Sequence, residues 1–411
     1  MPDARASESG EDASWWVAIA SLLIIFVGWG SPYLIAVALK PMAADLGAAR
    51  SVPSLASSLA YVGCGIGGIF MGWWADRMGA MWTALFGSVM IGLGAVVASL
   101  GGQWPLYIGY GVMIGLLGNA GLFAPLMANT SRLFNRKRGT ALALVASGQQ
   151  VAGAVWPPVF RAALDHVSWQ TTLRWYGALV LIALPPLALA LRRRPKLPGA
   201  ADVKSAGAVL RPLGLPPNLL QAMLCAAILL CCVPMALPFT HLAAFCSDLG
   251  FAPARGAEML SLLLGMAFMS RMIWGRLSDR IGGLKTVLIG SSAQALFLMC
   301  YAFIDDLAGL YVLSAAFGLG AGGIIPAYAL AVRELFPVRE AGWRIGTVLL
   351  FGLTGMAIGA WLGGAIFDAF ASYRPAFVTA VVVNLANLAV VGGLVMLGTM
   401  PRFAPPLPRP G

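Results

Sequence analysis

Long apolar runs separated by short polar segments dominate the chain, and twelve of these runs are long enough to cross a bilayer. One helical crossing takes about 20 apolar residues, and a helix satisfies every backbone group within itself. The predicted spans cover residues 15–39, 52–73, 82–101, 104–130, 139–162, 171–191, 217–245, 256–275, 285–305, 308–332, 344–367 and 375–399. The pattern therefore predicts an all-α integral membrane protein of twelve transmembrane helices, with both termini on one side.

A polar linker divides the spans into two groups of six. The predicted organisation is an N-terminal tail at 1–14, a six-helix half at 15–191, a linker at 192–216, a second half at 217–399 and a C-terminal tail at 400–411. The linker is either a disordered tether or a basic strip on an anionic leaflet. The acidic N-terminal tail and the long apolar run behind it do not fit a signal peptide, so we expect the first span to be retained.

One short motif, Gly-x-x-x-Asp-Arg-x-Gly, occurs in both halves between the second and third spans. Its residues are Gly72, Asp76, Arg77 and Gly79 in the first half and Gly275, Asp279, Arg280 and Gly282 in the second, 203 positions later. A second echo matches Arg132-Leu133-Phe134 to Glu334-Leu335-Phe336, after the fourth span of each half. Such repeats indicate a duplicated six-helix unit with pseudo-two-fold symmetry, whose substrate site lies between the halves near the bilayer midplane.

Composition and charge refine this picture. With 59% hydrophobic and 10% charged residues, and a mean hydropathy of +0.83, the chain has too little polar side chain to cover a soluble globule. The net charge of +11 comes mainly from the terminus side, since only six of the 27 Lys and Arg residues fall in loops on the opposite side. Cytoplasmic loops carry such an excess, so we predict cytoplasmic termini and no nucleic-acid partner. The six cysteines lack metal-ligand spacing and are interpreted as packing residues.

The two motif copies resemble the cytoplasmic loop motif of the major facilitator superfamily, and the resemblance covers essentially the whole chain. Finer features resemble its bacterial monocarboxylate-porter-like members. These features are Arg132-Leu-Phe-Asn-Arg-Lys-Arg-Gly139 before Ser147-Gly148, then Ser168-Trp-Gln170, Thr240-His-Leu242 and Ser270-Arg-x-x-x-Gly-x-x-x-Asp-Arg280. The resemblance implies the major facilitator fold, a bacterial inner (cell) membrane location and alternating access by rocking of the halves. It also implies a cavity lined by helices 1, 4, 7 and 10, with helices 2, 5, 8 and 11 beside them.

The chain departs from that pattern at three places. Monocarboxylate porters commonly pair the Arg of helix 8 with an Asp one turn earlier, and this position is Ala267 here. The Lys that some relatives carry in helix 1 or helix 11 is missing from residues 28–39 and 345–367. The first motif copy continues without the usual basic cluster, which suggests gating of unequal strength in the two halves. The missing acid leaves the coupling ion open.

Arg271 is the basic residue that falls deep inside a predicted span. A central Arg costs about 2.5–3.5 kcal/mol to insert, so it normally faces a cavity or a partner. None of the sixteen Asp and Glu residues is predicted deep in a span, so an anionic substrate would supply the counter-charge. A guanidinium holds a carboxylate with two parallel hydrogen bonds, which makes a small monocarboxylate the predicted substrate. The alternative is an Arg271 satisfied by helix-end carbonyls or by Asp279.

Other polar groups on the inner helices complete the predicted cavity. The candidates beside Arg271 are Tyr33, Asn119, Gln149, His241 and Tyr328. Each could instead serve in an interhelical hydrogen bond. His241 is also the candidate for proton coupling because histidine titrates near neutral pH, and a neutral, hydrogen-bonded His is its alternative. The two motif copies are assigned to gating, with an Asp that would cap a helix or pair with an Arg of the neighbouring half.

The predicted function is secondary active transport. The sequence contains no phosphate-binding loop, and its polar segments are too short for a nucleotide-binding domain, so we expect no enzyme, no primary pump and no cofactor. The expected substrate is a small organic anion, a monocarboxylate moved with a proton by a functional monomer in the lipid bilayer. The alternatives are an exporter of amphipathic compounds and a membrane sensor that binds a substrate without transporting it.

Overall fold

The structure is a computed structural model that describes residues 2–134, 138–192 and 212–399. The α-helices are α1 (Pro2–Gly28), α2 (Ser31–Asp45), α3 (Ser51–Met78), α4 (Ala80–Ala98), α5 (Gln103–Tyr107), α6 (Ala120–Leu133), α7 (Arg138–Ala146), α8 (Gly148–Leu164), α9 (Trp169–Leu189), α10 (Pro217–Asp248), α11 (Pro253–Ile281), α12 (Gly283–Tyr301), α13 (Leu307–Ala321), α14 (Ile324–Leu335), α15 (Val338–Phe370) and α16 (Arg374–Thr399). A π-helical segment, Ile108–Asn119, joins α5 to α6. Most of the predicted linker and the predicted C-terminal tail lie outside the described residues.

The helices confirm the predicted twelve-helix membrane fold. Among the described residues, ten continuous stretches are long and apolar enough to cross a membrane, and α11 adds an eleventh crossing with a 46° bend near Arg271. The twelfth, predicted at 139–162, consists of α7 and α8, which are interrupted at Ser147. Residues 2–14, predicted as a tail, are helical and continue into the first span as α1.

The first span is broken between α1 and α2, where the sequence places Gly28, Gly30 and Pro32 close together. Tyr176 satisfies the backbone groups freed by the break. Its hydroxyl lies 2.8 Å from the carbonyl oxygen of Val27 and 2.9 Å from that of Gly28, and it accepts the Gly30 N–H at 3.1 Å. Non-helical backbone at membrane depth is tolerated where protein groups satisfy it in this way.

The fourth span packs closely on the second because both carry glycines at the contact. A Cβ added to Gly67 would lie 2.0 Å from the carbonyl oxygen of Leu116, and one added to Gly115 would lie 2.6 Å from that of Ala60. Small residues let two membrane helices approach in this manner. The contact places the end of the π-helical segment, Asn119, inside the first half.

The two halves meet along α3 with α15 and along α8 with α11, but they separate towards the termini. Ser58 donates to the carbonyl oxygen of Ala357 at 2.6 Å, and a Cβ added to Gly65 would lie 2.7 Å from Leu350 Cδ1. Two turns closer to the termini, on the same face of α3, a Cβ added to Gly72 would meet nothing within 4 Å. The space between the halves therefore opens towards the terminus side.

Candidate functional site

Arg271 lies where the contact between α8 and α11 gives way to the open space. A Cβ added to Gly153 of α8 would lie 2.2 Å from Leu264 Cδ1 and 2.8 Å from the Tyr33 hydroxyl oxygen. Arg271 follows Leu264 by seven residues, so it shares that face of α11, two turns closer to the termini. One turn further on, a Cβ added to Gly275 would meet no atom within 4 Å. Arg271 thus stands at the closed end of the space between the halves.

The guanidinium of Arg271 has unmet hydrogen-bonding capacity. The side chain is half-buried, and Tyr33 lies close enough to interact with it electrostatically. Its Nε has no hydrogen-bond partner among the described residues, and the ion pairs found in those residues do not include it. A buried charged donor without an acceptor costs free energy. An anion entering from the terminus side would supply the missing acceptor.

The tenth span fixes α11 beside Arg271. Gly322 and Gly323 separate α13 from α14, and both lie against α11. A Cβ added to Gly322 would lie 2.3 Å from Ser270 Oγ, and one added to Gly323 would lie 2.2 Å from Trp274 Cβ. Ser270 and Trp274 occupy the same flank of the helix relative to Arg271. The contact therefore turns that flank towards the tenth span and leaves Arg271 facing the space between the halves.

The structure brings two of the predicted site residues into contact with each other, and one of them, Tyr33, interacts electrostatically with Arg271. The Tyr33 hydroxyl donates to the backbone carbonyl of Gln149 at 3.1 Å, which joins the first span to the fifth. The contact uses the backbone of Gln149, so a substrate role for its side chain stays a prediction. The adjacent Gln150 has a buried Oε1 without a partner in the described parts of the chain.

Asn119 lies inside the first half and retains an unused acceptor. Its side chain is 2% exposed, and its Oδ1 has no hydrogen-bond partner within the described ranges. A buried acceptor that lacks a donor is costly, so the position suits a water or a ligand hydroxyl. Its substrate role remains a prediction.

Tyr328 belongs to a polar network inside the second half. Its hydroxyl donates to Asn387 Oδ1 at 2.9 Å, Asn387 in turn donates to Asn384 at 3.2 Å, and Asn384 donates to the carbonyl oxygen of Ser291 at 2.7 Å. Tyr328 is fully buried. These contacts join α12, α14 and α16. They are interhelical hydrogen bonds, the predicted alternative to a substrate-binding role for Tyr328.

His241 lies away from Arg271, against α15 and α16. Its ring is fully buried, with Nδ1 3.1 Å from the Tyr373 hydroxyl and Nε2 2.7 Å from the Ala360 carbonyl oxygen. The Tyr373 hydroxyl also accepts from Arg50 at 3.3 Å. His241 is therefore linked through Tyr373 to charged groups on the side opposite the termini.

Those charged groups, which we call the distal network, are Lys40, Arg50, Asp248 and Asp368. The network was not predicted from the sequence. Asp248 pairs with Lys40 at 2.9 Å and accepts from both terminal nitrogens of Arg50. Asp368 accepts the backbone N–H groups of Arg50 and Ser51, each at 2.9 Å. Both acids belong to the second half and their partners to the first, so the network joins the halves. The sequence signal that could have revealed this network is the presence of opposite charges at span ends on the same side of the membrane.

The first copy of the repeated motif is held by an ion pair within its own half. Asp76 pairs with Arg132 at the end of α6, whereas a partner in the other half was expected. The Arg77 guanidinium carbon lies 4.0 Å from the centroid of the Trp73 ring. Gly79 ends α3 with φ at +96°, a conformation that favours glycine.

The second copy is held differently. Gly282 ends α11 with φ at +85°, and the next N–H, that of Gly283, donates to Glu334 at 2.9 Å. Glu334 stands at the position where the first half has Arg132. The ion pairs of the described residues do not include Asp279 or Arg280. The two halves thus stabilise the same turn with opposite charges, and a gating role for either copy stays a prediction.

Comparison with known proteins agrees with this geometry. The sequence profile of the Major Facilitator Superfamily matches residues 17–307 and 264–410. The chain is 26% identical to MFS-type transporter pynF of Aspergillus niger, covering 87% of this chain and 82% of that protein. It is 26% identical to monocarboxylate transporter 13 of Bos taurus, covering 80% of this chain and 75% of that protein. It is 22% identical to the agnestins efflux protein AgnL12 of Paecilomyces divaricatus, covering 79% of this chain and 71% of that protein.

Solved structures share the fold at low sequence identity. A point mutant of the nucleoside transporter NupG superposes with a TM-score of 0.72 at 13% identity, covering 93% of this chain and 99% of that one. A bacterial homologue of the human lysosomal transporter Spinster, in an inward-facing and occupied conformation, superposes with a TM-score of 0.63 at 16% identity, covering 93% of this chain and 95% of that one. The chain therefore belongs to the Major Facilitator Superfamily and is a multi-pass membrane transporter rather than an enzyme.

Proposed function

We propose that the protein transports a small organic monocarboxylate, which binds as an anion at Arg271. The observation that carries the proposal is the Nε of Arg271, which has no hydrogen-bond partner among the described residues and lies at the closed end of the space between the halves. Tyr33 is a polar group that interacts with Arg271 electrostatically. A guanidinium binds a carboxylate through two charge-assisted hydrogen bonds, so the site has the chemistry of a carboxylate receptor.

The charge of the site favours a monoanion over a dianion. Ala267, one turn before Arg271, is apolar and 3% exposed, so the helix supplies no internal acid at that position. The neighbouring groups Tyr33, Ser270 and Trp274 are neutral. One bound carboxylate would neutralise Arg271, whereas a second negative charge would remain uncompensated in a low-dielectric site.

The contacts between the halves support transport by alternating access. The distal network closes the side opposite the termini, while the helices separate towards the terminus side. A substrate that enters from the distal side requires this network to break and the halves to close over Arg271 from the other side. We assign the terminus side to the cytoplasm of a bacterial cell because basic residues concentrate there.

A counterflow assay would test the substrate class. Purified protein in liposomes loaded with unlabelled lactate should accumulate external labelled lactate, and other small monocarboxylates should compete with it. Oxalate should compete at least about tenfold more weakly, which corresponds to about 1.4 kcal/mol. Export of an amphipathic cation without lactate exchange would favour the exporter. Thermal stabilisation by lactate without exchange would favour the sensor.

We further propose that His241 is the proton-coupling group. Its Nε2 faces a carbonyl oxygen, so this nitrogen donates. Its Nδ1 faces the Tyr373 hydroxyl and is the ring nitrogen that can take up a second proton. Arg50 and Asp368 are the charged groups that interact with the ring electrostatically. Protonation of His241 would therefore act on the distal network through Tyr373, which couples proton binding to opening of that side.

Uptake of lactate under an imposed pH gradient would test this role. The gradient should stimulate uptake by the wild type. His241→Gln should remove this stimulation, but lactate exchange measured in the absence of a gradient should be unchanged. His166→Gln is the matched control, because His166 is the other histidine of the chain and is exposed. Stimulation that persists in His241→Gln would exclude His241, and a wild type insensitive to the gradient would exclude proton coupling.

A further inference from the structure

We propose that the first half binds the phosphate group of a membrane phospholipid in a pocket on the terminus side. The pocket has a volume of about 200 Å³ and lies between the turn that joins α3 to α4, the end of α6 and the end of α9. It lies apart from Arg271 and from the space between the halves. The proposal therefore does not depend on the substrate.

The charge of the pocket is positive. Arg77, Arg132 and Arg192 line it together with one acid, Asp76. Asp76 is neutralised by its ion pair with Arg132, and Arg77 lies over the Trp73 ring. Arg192 is exposed at the mouth of the pocket. An anion in the pocket would thus meet a net excess of guanidinium groups.

The beginning of α4 adds backbone donors: the N–H of Gly79 bonds to Ala75 and that of Trp82 reaches the Gly79 carbonyl oxygen at 3.3 Å, but no side chain of the described residues caps this helix start. The residues from Gly79 to Trp82 line the pocket, and α4 starts at Ala80 without a side-chain cap. The first N–H groups of a helix have no partner within the helix, and the helix dipole favours an anion at this end. A helix of 19 residues presents this end to the pocket.

An unpartnered buried side chain supplies the second observation. Asn129 lines the pocket, is 7% exposed, and its Nδ2 has no hydrogen-bond acceptor among the residues that the structure describes. An amide donor that is buried without an acceptor is costly, so the position suits a ligand that accepts a hydrogen bond. A phosphate oxygen is an acceptor that would satisfy it.

The second half shows what the equivalent helix start requires. There, α12 begins at Gly283, whose N–H donates to the carboxylate of Glu334 at 2.9 Å. In the first half the equivalent of Glu334 is Arg132. The second half thus supplies its own anion, Glu334, at the start of α12, whereas the first half has a cation, Arg132, at the start of α4. We infer that an external anion occupies the first-half position.

The surroundings favour a phospholipid over a soluble phosphate. The pocket lies at the terminus end of the spans, where headgroups lie. Met78 and Trp82, which line it, are each 47% exposed despite their apolar side chains. Tryptophan is enriched at the membrane interface, and basic pockets between membrane helices bind anionic headgroups. Acyl chains would cover these two side chains while the phosphate enters the pocket.

Lipid binding to the purified full-length protein would test the proposal. Phosphatidylglycerol should remain bound in native mass spectrometry and should raise the melting temperature in detergent, whereas a diacylglycerol without phosphate should do neither. Arg192→Gln should weaken phosphatidylglycerol binding about fivefold, the effect expected for one basic group near a headgroup. Arg132→Glu, which gives the first half the acid found in the second, should abolish it. Arg333→Gln, an exposed Arg on α14 of the second half, is the control and should have no effect.

The outcomes separate the possible sources of the anion. Stabilisation by inorganic phosphate alone, lost in Arg192→Gln, would confirm the phosphate site and identify a soluble ligand. Equal stabilisation by diacylglycerol and phosphatidylglycerol would overturn the proposal, because acyl contacts would then explain it. Equal phosphatidylglycerol binding by Arg132→Glu, Arg192→Gln and the control would also overturn it. Size-exclusion profiles establish that the variants are folded.

Discussion

Replacing Arg271 with glutamine should abolish lactate exchange in liposomes while leaving the protein folded. Each charge-assisted hydrogen bond contributes roughly 1.5–3 kcal/mol, so loss of two should weaken binding at least a hundredfold, about 3 kcal/mol or more. The melting temperature without ligand should stay the same or rise, because the variant removes a charge that lacks a partner in the described structure. Counterflow and thermal denaturation measure the two effects.

Three further variants separate a binding role of Arg271 from a structural one. Arg276→Gln changes an exposed Arg five residues along the same helix and should leave exchange intact. Ala267→Asp adds a carboxylate one turn from Arg271, which should occupy the guanidinium and suppress exchange at neutral pH. Ala267→Asn, which adds a side chain of the same size without a charge, should suppress exchange less than Ala267→Asp. A cooperative loss of folding in Arg271→Gln would instead support an Arg held by protein carbonyls.

The fold was predictable because membrane spans obey one strong rule. Every span must satisfy its own backbone, so length and apolarity reveal it even in a single sequence. The interruptions were not predictable in detail, since they depend on distant partners. The break beside Gly30 is stabilised by Tyr176, which lies far along the chain. The broken fifth span was correctly placed, although Ser147 divides it into two short helices.

A candidate site could be predicted from the sequence only at Arg271, where a charge interrupts an apolar span. Arg271 was recognisable because a charge in hydrocarbon needs an explanation. His241 and Tyr328 are compatible with either packing or function, and only three-dimensional neighbours distinguish the two. In the structure Tyr328 is hydrogen-bonded to Asn387, and His241 lies beside Tyr373. Residue type alone does not reveal such partners.

The distal network escaped the sequence analysis for a related reason. Lys40, Arg50 and Asp248 fall at span ends, where charges are common and usually solvated. Their importance comes from the pairing of a cation in one half with an acid in the other. Such pairing across halves is a property of the closed state, and it gives the distal side a stability that mutation can alter.

Replacing Arg50 with alanine should shift the transporter towards a state that is open on the distal side. Arg50 bonds to both oxygens of Asp248 and lies 3.6 Å from the centroid of the Phe367 ring. Its side chain is 14% exposed and that of Asp248 is 24% exposed, so solvent screens the pair in part. After that discount, its loss should cost the closed state about 2 kcal/mol, which changes the ratio of closed to open molecules about thirtyfold.

A cysteine at the seam reports this shift. Ser54 of α3 is fully buried, and a Cβ added to Gly364 of α15 would lie 2.7 Å from its hydroxyl. Alkylation of Ser54→Cys by a maleimide that does not cross membranes should accelerate at least tenfold when Arg50→Ala is added. Arg374→Ala is the matched control, because the partner of Arg374, Asp305, lies in the same half and the pair does not join the halves. Equal alkylation rates in the two backgrounds would show that the distal network does not hold this side closed, since Arg50 would then contribute no more to closure than an exposed pair within one half.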